Sequence, residues 1–192
     1  MDFYTLDEQE RVIIKELMKN PRATDNAIGK CTGVPVMTVN RKRKKLEEKG
    51  ILRYFATIDR RRLGVFEAHQ LYIIKLRAGI TKQQYMQSVE QDAKIRMSNT
   101  KYIGTTYVGE RDGHLAIIFL LDGFSQDELV NEFNGRIVPY FHECFGKDAI
   151  VSIETVPITE RIRVHHNYLP SINMENGIVK QTWPDEYMFV DR

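Results

Sequence analysis

The feature that most constrains this chain is the stretch TDNAIGKCTGVPVMTVNRKRKKLEEKGIL at residues 24–52. It holds two helical segments separated by a glycine, and the second is densely cationic. Gly33 suits the turn because a residue without a Cβ takes positive φ at little cost. Pro35 fits the first turn of the next helix, where its missing N–H removes no hydrogen bond. The run Arg41-Lys42-Arg43-Lys44-Lys45 then falls on that helix. Two helices joined by a glycine turn, the second cationic, are the sequence form of a helix-turn-helix. Such a helix presents its first residues to base edges and its later cations to phosphates. The partner these residues imply is double-stranded DNA.

Charge is distributed to match. The formal net charge of +2 hides an asymmetry: residues 1–64 hold 15 Lys and Arg against 9 Asp and Glu, whereas residues 65–192 hold 13 against 17. Only the first third is suited to a polyanion. With 42% hydrophobic and 28% charged residues the composition is that of an ordinary globular protein. No run approaches the ~18 apolar residues of a membrane span. The opening MDFYTLDEQER is acidic and polar, so no secretory signal is expected. Cys31 and Cys144 have no CxxC spacing, and two lone thiols fit a reducing, cytoplasmic setting.

A first helix is expected over residues 6–19, with Thr5 and Glu8, or Asp7 and Glu10, at capping-box spacing. Ile13, Ile14, Leu17 and Met18 form its apolar face, and Asn20-Pro21 ends it. Thr24 caps the second helix, whose inner face is read as Ala27, Ile28 and Cys31, with Gly29 allowing a neighbouring helix close. The third helix ends at Gly50. Residues 51–58, ILRYFATI, read as a wing or linking strand, and 59–64, DRRRLG, as the domain junction.

Beyond the junction the pattern is βαββαβ, with strands at 68–77, 101–108, 114–121 and 149–156. Helices fall at 81–95, with Tyr85, Met86, Val89 and Ala93 inward, and at 125–145, with Leu129, Phe133, Ile137 and Phe141 inward. Pro139 should kink or divide the latter. Residues 109–113 read as a tight connection. The expected class is α+β. A winged helix-turn-helix (1–58) is followed by a linker (59–66), a ferredoxin-like domain (67–160) and a C-terminal extension (161–192). In the extension Glu175-Asn176-Gly177 suggests a hairpin turn. Trp183, Tyr187 and Phe189 are too apolar for a disordered tag, so packing on the same subunit or a neighbour is expected.

In order and spacing these pieces resemble the Lrp/AsnC family of transcription regulators over about residues 5–160. LDEQERVIIKEL at 6–17 resembles the family's opening helix, and Arg22 follows at the usual distance. GVPVMTVNRKRKKLEEKGIL at 33–52 resembles its turn, recognition helix and exit, and DRRRLG its linker. YVGERD at 107–112 is similar to the Gly-x-x-Asp turn of the family's effector domain. Arg43 and Thr32 stand where the family usually has apolar residues, leaving Val39 and Leu46 to anchor the third helix. Pro35 stands where a Ser cap is frequent, and the tail extends past the family's usual end. The resemblance implies a homodimer or higher oligomer. It also implies small effectors, often amino acids, bound near the 107–112 turn at subunit interfaces.

Candidate site residues follow. Val36, Met37, Asn40 and Arg41 are expected to face bases, since Asn pairs with adenine and Arg with guanine in bidentate fashion. Thr38, Lys44, Lys45, Arg22 and Lys30 are expected to serve phosphates. A purely solvated charged helix is disfavoured because Glu47 and Glu48 cannot neutralise six nearby cations, Lys49 included. Arg60-Arg61-Arg62 suits either flanking DNA or a solvated linker. At the turn, Asp112 could receive an ammonium and the amides around Gly109 a carboxylate, with Thr105 and Thr106 adding hydroxyls; a plain hairpin is the alternative. None of the five histidines has a standard metal-ligand spacing, and no cofactor or hydrolase motif is present. A regulator rather than an enzyme is therefore expected. The competitors are an architectural protein that coats DNA and a tetrapyrrole-modifying enzyme on the same scaffold, for which His114 is the near candidate.

Overall fold

The computed structural model describes residues 4–56, 58, 63–64, 68–91 and 101–190. They form two compact units. One comprises Met1–Thr57 together with Arg161–Arg192, and the other Ile58–Glu160. The C-terminal extension thus folds with the helix-turn-helix rather than as a separate body.

In the first unit, helix α1 spans Glu8–Lys19, α2 Asp25–Thr32 and α3 Val36–Glu48. Of the two capping boxes the sequence allows, Asp7 with Glu10 forms: the Glu10 amide donates to Asp7 Oδ1 (2.9 Å) and the Asp7 amide to Glu10 Oε2 (3.1 Å). Thr24 caps α2, accepting from the Ala27 amide at 3.2 Å. Gly33 ends α2 at φ 74°, a left-handed conformation that glycine tolerates. Ile13, Leu17, Ile28, Val34 and Val39 close a small core, each contributing roughly 1.5–3 kcal/mol by leaving water. The expected inner face of α2 is narrower than the sequence suggested. Only Ile28 is buried, while Ala27 and Cys31 are exposed, because so short a helix meets its neighbours along one line. Gly29 is where α2 and α3 approach. A Cβ there would stand 2.9 Å from the Val34 carbonyl oxygen and 3.1 Å from Val36 Cγ2. Residues 51–56 form no strand; a β-rich segment needs a partner ladder, and none pairs with it among the described residues.

The extension closes on α1. A two-residue Asn176-Gly177 turn, both residues at positive φ, joins strands β5 (Met174–Glu175) and β6 (Ile178–Val179). Asn167 clamps the two ends of the extension, its amide group exchanging hydrogen bonds with the Phe189 carbonyl and amide, both at 2.8 Å. Tyr168 Oη donates to the Met18 carbonyl at 2.7 Å, one of the carbonyls left open by the end of α1. Lys19 pairs with Asp185.

In the second unit, β1 (Ala68–Leu76), α4 (Lys82–Gln91), β2 (Ile103–Arg111), β3 (His114–Gly123), α5 (Gln126–Glu132), α6 (Val138–Phe145) and β4 (Ile150–Ile158) follow in order. The antiparallel sheet has strand order β2-β3-β1-β4, the arrangement of a ferredoxin-like βαββαβ domain. Tyr72, Ile74, Ile117, Phe119 and Leu121 pack from the sheet against Leu129, Phe133, Ile137 and Phe141. Pro139 has no N–H for the carbonyl four residues back, and the helix divides there as expected. A π-turn over Phe133–Ile137, closed by the Val138 amide on the Phe133 carbonyl, separates α5 from α6. The turn between β2 and β3 is tighter than residues 109–113 suggested. Only Asp112 (φ 50°) and Gly113 (φ 74°) form it, so Gly109 lies within β2 opposite Ala116. The junction arginines and residues 92–95 of the expected first helix of this domain lie outside the described residues.

Gly29→Ala should destabilise the first unit by roughly 1–3 kcal/mol, because the new methyl meets backbone rather than a movable side chain. Urea unfolding of the full chain, followed by the signal of the helical unit, checks this.

Candidate nucleic-acid interface

Helix α3 carries more positive charge than its own glutamates can balance, and the balance comes from the two preceding helices. Asp7 uses Oδ1 to cap α1 and Oδ2 to hold Lys42, which is buried to 8% exposure. Asp25 divides in the same way: Oδ2 accepts from Asn40 Nδ2 at 2.7 Å and Oδ1 from Arg43 Nη1 at 3.3 Å. Arg43 also donates to the Ala23 carbonyl (3.1 Å) and Glu47 (3.1 Å), and its guanidinium lies over the Tyr54 ring. Lys45 reaches Glu10 at 3.5 Å and lies over the Tyr4 ring, which Lys49 also faces. Arg43, foreign to an apolar position, is therefore accommodated by an acid, a carbonyl and an aromatic face. Val39 and Leu46 anchor the helix with no exposed surface.

These contacts set the protonation of the acids. The Lys42 ammonium, with the amides of α1, holds the Asp7 carboxyl below its ordinary value of 3.8. Burial of Glu10 works to raise its pKa, but hydrogen bonds from Tyr4 Oη and the Asp7 amide outweigh it and leave the group below 4.5. Tyr54 is pushed up to about 12 by burial and by its hydrogen bond to Glu47.

One stripe of α3 is outward along most of the helix. Met37, Arg41, Lys44 and Glu48 fall within roughly 60° of one another at 100° per residue, and all four are exposed. Met37 is 81% exposed and Val36 39%. No side chain caps the helix N-terminus at Pro35. Thr38 is half-buried, its amide bonded to the Pro35 carbonyl at 2.8 Å. Lys30 is exposed on α2, and Arg22 is exposed ahead of it, its amide bonded to Asn20 Oδ1 at 3.0 Å. The base-facing set from sequence thus separates: Val36, Met37 and Arg41 are outward, while Asn40 is engaged with Asp25. Sequence reasoning missed the part played by Tyr4, Asp7 and Asp25. The surplus of cations over local glutamates was the available signal that partners must come from elsewhere.

At the other candidate site, Thr105 and Gly109 stand on β2 on the sheet face away from the helices, with Thr106 on the opposite face. Asp112 at the turn accepts from Lys75 Nζ at 2.9 Å and lies 3.8 Å from Arg111, which in turn pairs with Glu154 at 2.5 Å. The Lys75 ammonium keeps the Asp112 carboxyl below its ordinary range. His114 Nδ1 lies 2.9 Å from the Leu76 carbonyl. Among the described residues there is no group of three or more metal-ligating side chains, and no helix is long and apolar enough to cross a membrane.

Comparison with known proteins agrees with this geometry. A model described as winged helix-turn-helix DNA-binding matches residues 6–53. The HTH-type transcriptional regulator FL11 of Pyrococcus abyssi is 36% identical over 75 residues, covering 39% of this chain and 50% of that protein. An uncharacterized HTH-type transcriptional regulator of the same organism is 36% identical over 62 residues, covering 32% and 40%. The chain thus spans about half the length of the curated relatives it matches. Among solved structures, E. coli AsnC aligns with a TM-score of 0.62 at 20% identity, over 84% of this chain and 97% of that one. The L-Met complex of a Neisseria meningitidis transcriptional regulator aligns at 0.63 and 13%, over 88% and 96%. B. subtilis LrpC aligns at 0.60 and 17%, over 84% and 100%. Residues 6–53 are thus similar to winged helix-turn-helix DNA-binding domains. The fold is similar to those of AsnC and LrpC.

Because Asp7 and Glu10 titrate lower when folded, the stability they contribute is present above their unfolded values of 3.8 and 4.5 and is lost as pH falls through the lowered ones. Unfolding by urea at a series of pH values from neutral to strongly acid should show that loss. Lys42→Met, which removes the main cause of the Asp7 shift, should reduce the slope in the acid limb.

Proposed function

We propose that the protein is a sequence-specific DNA-binding regulator of transcription that acts as a homodimer. The observation that carries this reading is the outward stripe of α3. Of the five cations of α3, Lys42, Arg43 and Lys45 pair with acids of the unit, while Arg41 and Lys44 stand exposed on the same stripe as the apolar Met37. A helix merely solvated by charge has no reason to expose a methionine among arginines and lysines. Val36, Met37 and Arg41 face base edges in this reading. Lys44, Lys45, Thr38, Lys30 and Arg22 serve the phosphate backbone.

The second unit supplies the pairing surface. Leu71 lies opposite Leu120 and Val156, and Ile73 opposite Ile118, which lies opposite Tyr107. This face turns away from the helix-packed core. Joining two such faces would relate two α3 helices by a two-fold axis, so each dimer reads a pseudo-palindrome with half-sites about 10 bp apart. An amino acid is the effector class we propose, on the strength of the L-Met complex of the Neisseria meningitidis neighbour. An ammonium approaching Asp112 would compete with Lys75, so such an effector must favour an arrangement in which that pair opens.

Replacing Arg41 and Lys44 together by alanine should weaken binding to duplex DNA by about tenfold or more at moderate salt. The oligomeric state by light scattering should stay unchanged. Undiminished affinity would remove α3 from the interface.

A further inference from the structure

We infer that α3 identifies its half-site through thymine methyl groups, with Met37 as the specificity-determining side chain and Val36 as a fixed shoulder beside it. The inference rests on the DNA-binding reading above and adds the base class that is read. Sequence alone offers Asn40 as an adenine reader, but its Nδ2 donates to Asp25 Oδ2 at 2.7 Å, and Asp25 also holds Arg43 at 3.3 Å. Turning Asn40 toward a base would leave a half-buried carboxylate short of a partner. The outward positions nearest the helix start are instead apolar. Met37 is 81% exposed. It is the second residue of α3, in the turn that reaches base edges in this type of motif. Its thioether is at most a weak acceptor. The apolar group that the major groove offers it is the C5-methyl of thymine. Val36 lies against the α2 crossing, where a Cβ added at Gly29 would stand 3.1 Å from its Cγ2. It is therefore positioned by the backbone of the turn, and Met37, unbranched and adaptable, moves over it. Arg41, one helical turn further on the same stripe, then addresses the adjoining step.

The test uses the full chain and the genomic fragments it retains, reamplified with either dTTP or dUTP, so that the second pool lacks only the thymine methyls. Filter retention is measured at fixed salt for the wild type, Met37→Ala and Met37→Leu. The wild type should bind the uracil pool roughly three- to tenfold more weakly, the scale expected for losing one to two buried methyl contacts. Met37→Ala should bind both pools equally, at about the affinity of the wild type for uracil, and Met37→Leu should keep most of the discrimination. Equal retention of both pools by the wild type overturns the inference while leaving DNA binding intact. So does undiminished discrimination by Met37→Ala, which would place the methyl sensitivity in DNA shape or in another side chain. Failure of the wild type to retain any duplex overturns the DNA-binding reading as well.

Discussion

Two aspartates, each with both side-chain oxygens committed, hold the helix-turn-helix unit together. Asp7 caps the start of α1 and anchors Lys42 of α3; Asp25 begins α2 and fixes both Asn40 and Arg43 of α3. Without them α3 would carry an uncompensated run of like charges against a core of few apolar side chains. Paired like this, Lys42 and Arg43 become structural residues and the rotation of the helix is fixed. Rotation decides everything outward: it places Met37, Arg41 and Lys44 in one stripe and removes Asn40 from it. The charge run in the sequence is thus two populations on one helix, one holding the fold and one free for a polyanion.

The extension contributes to the same unit. Tyr168 satisfies one carbonyl at the end of α1, and Asn167 and Asn173 tie the extension to itself through bonds of 2.8–2.9 Å. The chain therefore leaves the helix-turn-helix unit once and returns to it after β4, giving that unit a covalent link to the sheet unit at each end.

Much of the architecture was legible in the sequence for local reasons. Gly33 and Pro35 dictate a turn and a helix start wherever they occur, the apolar positions of α1 recur at helical spacing, and Asp112-Gly113 and Asn176-Gly177 are hairpin turns by their own conformational preferences. What was not legible is tertiary. The contacts that decide the roles of Lys42 and Asn40 span 35 and 15 residues, and no periodicity reports them. Residues 109–111 look like loop because glycine and charge dominate there, yet they extend β2 because β3 supplies a full ladder. Residues 51–58 have strand composition, but the described part finds no partner in a single chain. The packing of the extension onto α1 depends on Tyr168 meeting a helix end that sequence places 150 residues away.

The central claim is that this unit reads sequence rather than charge alone. Selecting sheared genomic DNA with the purified full chain at about 0.15 M salt, where exposed electrostatics are substantially screened, tests it most directly. The account requires sharp enrichment of fragments sharing a pseudo-palindrome with half-sites about 10 bp apart. Even recovery across the genome, with affinity that tracks salt and not sequence, would contradict it and leave a DNA-coating protein in its place.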